Sequence, residues 1–261
     1  MPNSSKPVRL PTKFLEKVWG RHDLSPLFPD NPLKIGEVWF TADLPLLVKF
    51  VFTSEKLSVQ VHPNDAFAAR HEKSLGKTEM WHVVKAEPGA QVALGFSQTY
   101  NKAQVREMAQ SGSIEEALHW IDVSKGDTFY VPPGTVHALG AGLVMCEIQQ
   151  NSDITYRLYD YGRPRELHLD KGLQVASTGS AEIKSRPWPI SCRYFHTEPL
   201  AVHGTTSYPA ADRFRILIAL QGAGTLAGQA FQAGEAFHVP AGAPEFPIDS
   251  KAASFLQTWV P

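Results

Sequence analysis

The stretch Gly126-Asp-Thr-Phe-Tyr-Val-Pro132-Pro-Gly134-Thr-Val-His137 decides how this chain is read. A glycine turn opens it, an apolar aromatic and β-branched run follows, and a Pro-x-Gly turn then delivers one histidine. This is the pattern of a short strand closed by a tight turn that fixes a single polar side chain at its end. The same frame returns as Gly234-Glu-Ala-Phe-His-Val-Pro240-Ala-Gly242-Ala-Pro-Glu245, with glutamate in the last slot. A frame this specific, seen twice, predicts a repeated β unit.

Working outward, more runs of the same kind appear. Residues 46–52 (LLVKFVF), 57–61 (LSVQV), 81–84 (WHVV), 90–94 (AQVAL), 143–149 (LVMCEIQ), 214–218 (FRILI) and 236–239 (AFHV) are short, apolar and separated by turn signals. Such spacing predicts an all-β chain built of sandwiches or barrels. One helical stretch interrupts it at about 101–120, where Ser113-Ile-Glu-Glu has the form of a capping box. Residues 171–190 are small, polar and proline-bearing, and read as a linker. The expected layout is a domain over 1–170 with a helical insertion, then the linker, then a smaller domain over 191–261.

Composition narrows the function. The chain has 261 residues, with 25 Lys and Arg against 26 Asp and Glu. No basic excess of the kind a nucleic-acid binder carries is present. No apolar run approaches the roughly 18 residues that span a bilayer. Two cysteines, Cys146 and Cys192, support neither a disulfide framework nor an all-cysteine metal site, which fits a reducing cytoplasm.

Side chains two apart on a strand share a face. Gln60 and His62 therefore point together, as do Lys77 and Glu79, and Glu147 with Gln149. His137 comes from the Pro-x-Gly turn. His82 falls on the face opposite Glu79. The remaining histidines (His22, His71, His119, His168, His196, His203 and His238) lie outside these motifs.

The double frame resembles the second motif of the cupin family, which implies two cupin-like (jelly-roll) β-barrels with a small helical insertion, the second degenerate because Glu245 stands where His137 stands in the first. A closer resemblance rests on Lys-Val-Trp-Gly (17–20), Ile-Gly-Glu-Val-Trp (35–39), Gln-Val-His-Pro-Asn-Asp (60–65), Gly-Lys-Thr-Glu-Met-Trp (76–81), Val-Pro-Pro-Gly-Thr-Val-His (131–137) and Glu147-Ile-Gln-Gln-Asn-Ser-Asp-Ile-Thr-Tyr-Arg157. In this order they resemble the type I mannose-6-phosphate isomerases in their short bacterial form, over roughly residues 10–165. The family's Lys-Pro-Glu step reads Lys77-Thr78-Glu79 here.

That resemblance implies a metal set of Gln60, His62, Glu79 and His137, with Zn as the metal; the ligand types also admit Mn, Fe, Co or Ni. It implies an aldose–ketose isomerase that moves a proton between C1 and C2 of mannose 6-phosphate and fructose 6-phosphate. Lys77 and Glu147 are alternative bases, Arg157 would hold developing charge on the sugar oxygens, and Asp153 would hold Arg157 or assist ring opening. Arg163, Arg165 and Lys56 are available cations near the block, without an assigned role. The expected partner is a sugar phosphate, with no nucleic acid and no membrane, and nothing in the sequence specifies an oligomer. The other readings are an isomerase of a different sugar phosphate, an iron cupin oxidoreductase, and a metal-stabilised sugar-binding cupin without turnover.

Overall fold

The structure, a computed structural model, describes residues 6–181 and 183–261. It is mostly β. Two sheets built from the first half of the chain face each other. One has six strands, in the spatial order Thr12–Arg21, Ile35–Phe40, Leu46–Phe52, Leu143–Gln150, Glu79–Ala86 and Thr128–Val131. The other has five, in the order Tyr156–Tyr159, Val59–Val61, His137–Leu139, Gln91–Phe96 and Leu118–Asp122.

Between these sheets lies an apolar core of Trp19, Val51, Trp81, Val83, Val92, Leu94, Phe129, Leu139 and Met145. The outer face of the six-stranded sheet is buried as well. Val48, Phe50, Phe52, Met80, Cys146 and Ile148 pack there against Phe195, Ile216, Ile218 and Leu256 of the second half. A sheet covered on both faces reads as a nearly unbroken apolar run. That is why Leu46–Phe52 and Leu143–Gln150 lack the alternation of a half-exposed strand. The charged residues inside those runs, Lys49 and Glu147, both lie on the inner face.

The second half is an eight-stranded sheet wrapped around its own core, including Leu217, Phe231, Phe237, Phe246, Ile248 and Phe255. Its edge strand is Val8–Arg9, from the start of the chain, paired with Ala236–Val239. The expected pair of jelly-roll barrels is not confirmed: the first half forms two facing hydrogen-bonded sheets, and the main, eight-stranded sheet is a half-barrel. The repeated frame itself is real at the backbone. Gly126 and Gly234 have φ of 100° and 89°, and Gly134 and Gly242 have 85° and 78°, the left-handed values that favour glycine.

The helical insertion forms as Lys102–Ser111 and Ile114–Ala117, packed on the outer face of the five-stranded sheet through Val105, Ala109 and Ile114. Its capping box lies elsewhere than expected. Asn101 and Gln104 exchange side-chain and backbone hydrogen bonds, whereas Ser113 makes no capping bond. Asn101 has the extended backbone of an N-cap, and Ser113, two residues beyond the first helix, is already in a helical conformation. The helix Leu169–Val175 occupies the start of the stretch read as linker, with Leu173 buried.

Candidate metal centre and active site

Three adjacent strands of the five-stranded sheet place His137, Gln60 and Arg157 side by side: His137 pairs with Gln60, and Gln60 with Arg157. Across the sandwich, the six-stranded sheet pairs Gln149 with Glu79 and Glu147 with Lys49. The site is the space between these two rows.

Glu79 lies seventeen positions after His62, and the structure accounts for all of the residues between. The chain leaves the His62 strand, turns at the N-cap Asn64 and forms the helix Asp65–Glu72, which ends at Lys73 in a left-handed conformation. It then runs back over its own start. Gly76 crosses so closely that a Cβ there would lie 2.6 Å from Asn64 C and Asp65 N. Lys77 N donates to Pro63 O at 3.0 Å, and Glu79 begins the next strand. The Pro-x-Gly turn is tied to the same place, since Gly134 N donates to His62 O at 2.9 Å.

The result is a buried donor set. His62, Glu79 and His137 are each 1% exposed, and one ligand atom from each lies within 4.8 Å of the other two. The imidazole Nε2 atoms of His62 and His137 both lie 3.6 Å from the Glu79 carboxylate, on Oε2 and Oε1 respectively. Each Nδ1 is 2.9 Å from a backbone carbonyl, that of Ile154 for His62 and of Thr135 for His137. Nδ1–H donates to that carbonyl, which leaves the Nε2 lone pair directed at the shared centre. Burial pushes both imidazoles toward the neutral, ligand-competent form, His137 to about 4 and His62 well below its usual value. Gln60 presents its amide end 3.2 Å from His137 Nε2. Exchanging amide O and N, which moves no heavy atom, offers Oε1 at the same place.

The donor set fits a divalent cation, and a cation of the chain itself shows its polarity. Lys77 Nζ sits 3.0 Å from His62 Nε2 and 2.5 Å from Glu79 Oε2. Its third partner is Glu147 Oε1, at 3.3 Å. Behind this lies a ladder of buried charge that the sequence reading missed. Lys49 Nζ is 3.1 Å from Glu147 and 3.7 Å from Glu37, and Glu37 is 3.3 Å from Lys17 Nζ. Burial opposes the Glu147 charge, but Lys49 and Lys77 overcome it and hold the carboxylate down to about 2. Burial and the charge of Glu147 push Glu79 upward.

A polar cleft of about 230 Å³ opens beside the centre, lined in part by Lys17, Glu37, Gln60, Asp153, Arg157 and Arg165. Asp153 and Arg157 are thus brought to the site. The carboxylate nearest Arg157 is Asp160, 4.0 Å from Nε, and Asp153 makes no ion pair with it. Asp160 is gripped by Arg165 on both oxygens, at 2.5 and 2.6 Å, and by Arg163 at 3.4 Å. Lys56 pairs with Glu115 and lies away from the donor set. In the second half, Glu245 is exposed and accepts from Ser207, and the only His/Cys/Asp/Glu group of metal-binding form among the described residues is the His62, Glu79 and His137 set.

Fold and site together define a β-sandwich enclosing a built centre for one divalent metal, with a row of paired charges beside it. Comparison with known proteins gives the family. No protein-family model matches the chain. The mannose-6-phosphate isomerase ManA of Bacillus subtilis is 36% identical over 230 residues, covering 80% of this chain and 73% of that protein. A mannose-6-phosphate isomerase of Streptococcus mutans is 42% identical over 150 residues, 55% of this chain and 47% of its own. The crystal structure of a mannose 6-phosphate isomerase from Bacillus subtilis superposes with a TM-score of 0.87 at 27% identity, over 98% of this chain and 100% of that one. The chain belongs to the mannose-6-phosphate isomerase family.

Proposed function

We propose that the chain interconverts mannose 6-phosphate and fructose 6-phosphate as a metal-dependent aldose–ketose isomerase. The observation that carries this is the buried His62, Glu79 and His137 set with Lys77 lying against it. Zinc, held by these three residues and Gln60, would act as a Lewis acid on the sugar oxygens and lower the cost of the enediolate.

The chain's own residues do the rest. Lys77 works through its free-amine form, taking the proton from C2 and returning it to C1 while the O2 hydroxyl proton passes to O1. Glu147 is a poor base, because Lys49 above all, with Lys77, lowers the proton affinity of its carboxylate. Its part is to anchor Lys77 alongside Glu79. Arg157, across the sheet pairing from Gln60, faces the sugar oxygens with a delocalised charge. Asp153, on the cleft wall, assists ring opening, and Arg165 and Lys17 add the positive charge a phosphate monoester needs. Residues 1–170 make up the catalytic unit in this reading, and 191–261 a degenerate second unit. The free thiols Cys146 and Cys192 support a reducing, cytoplasmic setting.

The test is a coupled assay for fructose 6-phosphate, run on the metal-loaded chain and on Lys77→Ala. Turnover by the wild type, reduced about 10²- to 10⁴-fold in Lys77→Ala with metal retained, supports the reading. A folded, metal-loaded wild type that leaves mannose 6-phosphate unchanged contradicts it.

A further inference from the structure

Asp65 stands outside the donor set, on the first turn of the helix that follows Asn64. Its two carboxylate oxygens face different parts of the molecule. Oδ1 accepts from Gly76 N at 2.8 Å and from Gln150 Nε2 at 2.8 Å. Gln150 in turn accepts from Thr78 N at 2.9 Å through its own side-chain oxygen, and its backbone N donates to Thr78 O at 3.1 Å. Oδ1 therefore holds the residue before Lys77 directly, and the residue after it through one glutamine. Oδ2 accepts from Tyr194 Oη at 2.5 Å and from Arg193 at 3.1 Å. Those two residues belong to the second half of the chain. Their neighbour Phe195 is fully buried in the core between the halves, and Cys192 N donates to Phe195 O at 2.9 Å, which folds the segment into a turn.

We infer that Asp65 and Tyr194 are positioning residues for Lys77, through which the degenerate second half fixes the proton-carrying segment of the active site. The inference rests on the isomerase reading above. The geometry has a direct reason. Gly76 and Thr78 are the only backbone flanks of Lys77, and the Gly76 crossing leaves the segment no side chain of its own to pack there. Its position is set by hydrogen bonds to Asp65 and Gln150 and by the Pro63 carbonyl. Tyr194 fixes the other oxygen of the same carboxylate, so Asp65 cannot turn about its side-chain torsions without losing one partner or the other. A shift of about 1 Å at a reacting group can cost about 10² in rate, so a clamp of this kind acts on kcat.

Four chains decide it: wild type, Tyr194→Phe, Asp65→Ala and Asp65→Asn. Each is assayed for kcat, KM for mannose 6-phosphate, metal content and thermal midpoint. We expect kcat to fall about tenfold in Tyr194→Phe and about a hundredfold in Asp65→Ala, with KM and metal content within about twofold of wild type. Asp65→Asn keeps an amide oxygen for Gly76 and Gln150 and should recover most of the rate lost in Asp65→Ala. Lowered thermal midpoints with kcat unchanged would make the contact a structural strut only and overturn the inference. An Asp65→Asn rate as low as that of Asp65→Ala would overturn the hydrogen-bond account. Wild-type turnover in the same assay separates the two claims. Without it the isomerase reading fails, and with it unchanged variants sink the positioning inference alone.

Discussion

Lys49 and Glu147 face each other directly across two paired strands, with 3.1 Å between ammonium and carboxylate and both side chains buried. Burial works against the Lys49 charge, and Glu147 and Glu37 more than offset it, holding the lysine protonated. Lys49 in turn is one of two cations that keep Glu147 ionised. Lys49→Met removes that cation and strands a buried carboxylate. Breaking a buried pair from one side costs about 3–5 kcal/mol. The expected result is a marked loss of denaturant stability together with a fall in kcat, because Glu147 then turns wholly to Lys77. A variant as stable and active as the wild type would show that the ladder carries no weight.

Gly76 makes a different kind of demand. The added methyl of Gly76→Ala would meet backbone atoms of Asn64 and Asp65 at 2.6 Å, and backbone cannot swing aside as a side-chain tip can. Overpacking of this kind costs about 1–3 kcal/mol. The crossing segment carries Lys77, so the strain is relieved by moving the active site. Thermal unfolding and steady-state kinetics should both register the change, with kcat reduced more than KM is raised.

His82 tests the electrostatics away from the centre. It lies on the outer face of the six-stranded sheet, beside Trp188, where burial, helped by the Lys125 charge, lowers its pKa to about 4. In the unfolded chain its pKa returns to about 6.5. Above that value both states are neutral and the shift contributes nothing. As pH falls from about 6.5 to about 4, the unfolded chain takes up a proton that the folded chain refuses, and stability is lost. The wild type should therefore lose stability relative to His82→Gln over that window, by an amount on the order of 3 kcal/mol at its lower end. A stability difference that stays flat from pH 7 to pH 4 would contradict the assignment. Activity at neutral pH should match between the two chains.

The sequence shows the donor types and the β class because both are local. The Pro-x-Gly turn that presents His137 and the period-two pairing of Gln60 with His62 are properties of a few adjacent residues. The helical insertion is legible for the same reason, although the Ser113 pattern that marks a capping box in the sequence makes none and Asn101 holds that role. What depended on distant parts of the chain was hidden. The helix Asp65–Glu72, with its alanines and charged residues, has little apolar periodicity, so the sequence does not show that it fills the gap between His62 and Glu79. Lys49 inside an apolar run gives no sign of its partners, Glu37 on the strand before it and Glu147 nearly a hundred residues further along the chain. The two jelly-roll barrels implied by the repeated frame are not confirmed, because the frame specifies a strand and a turn and leaves the assembly of the sheets to long-range pairing. Asp153 reaches the cleft wall, and of its two expected roles the structure shows no ion pair with Arg157, whose carboxylate neighbour is Asp160 at 4.0 Å.

The central claim is that His62, Glu79 and His137, with Gln60, hold one divalent metal on which turnover depends. The most direct measurement follows metal content and fructose 6-phosphate formation together as the purified chain is treated with a chelator and then given back zinc, with His137→Ala run in parallel. The account expects one metal per chain, turnover that disappears with the metal and returns with zinc, and neither metal nor turnover in His137→Ala. Full turnover by a chain shown to be free of metal would contradict it.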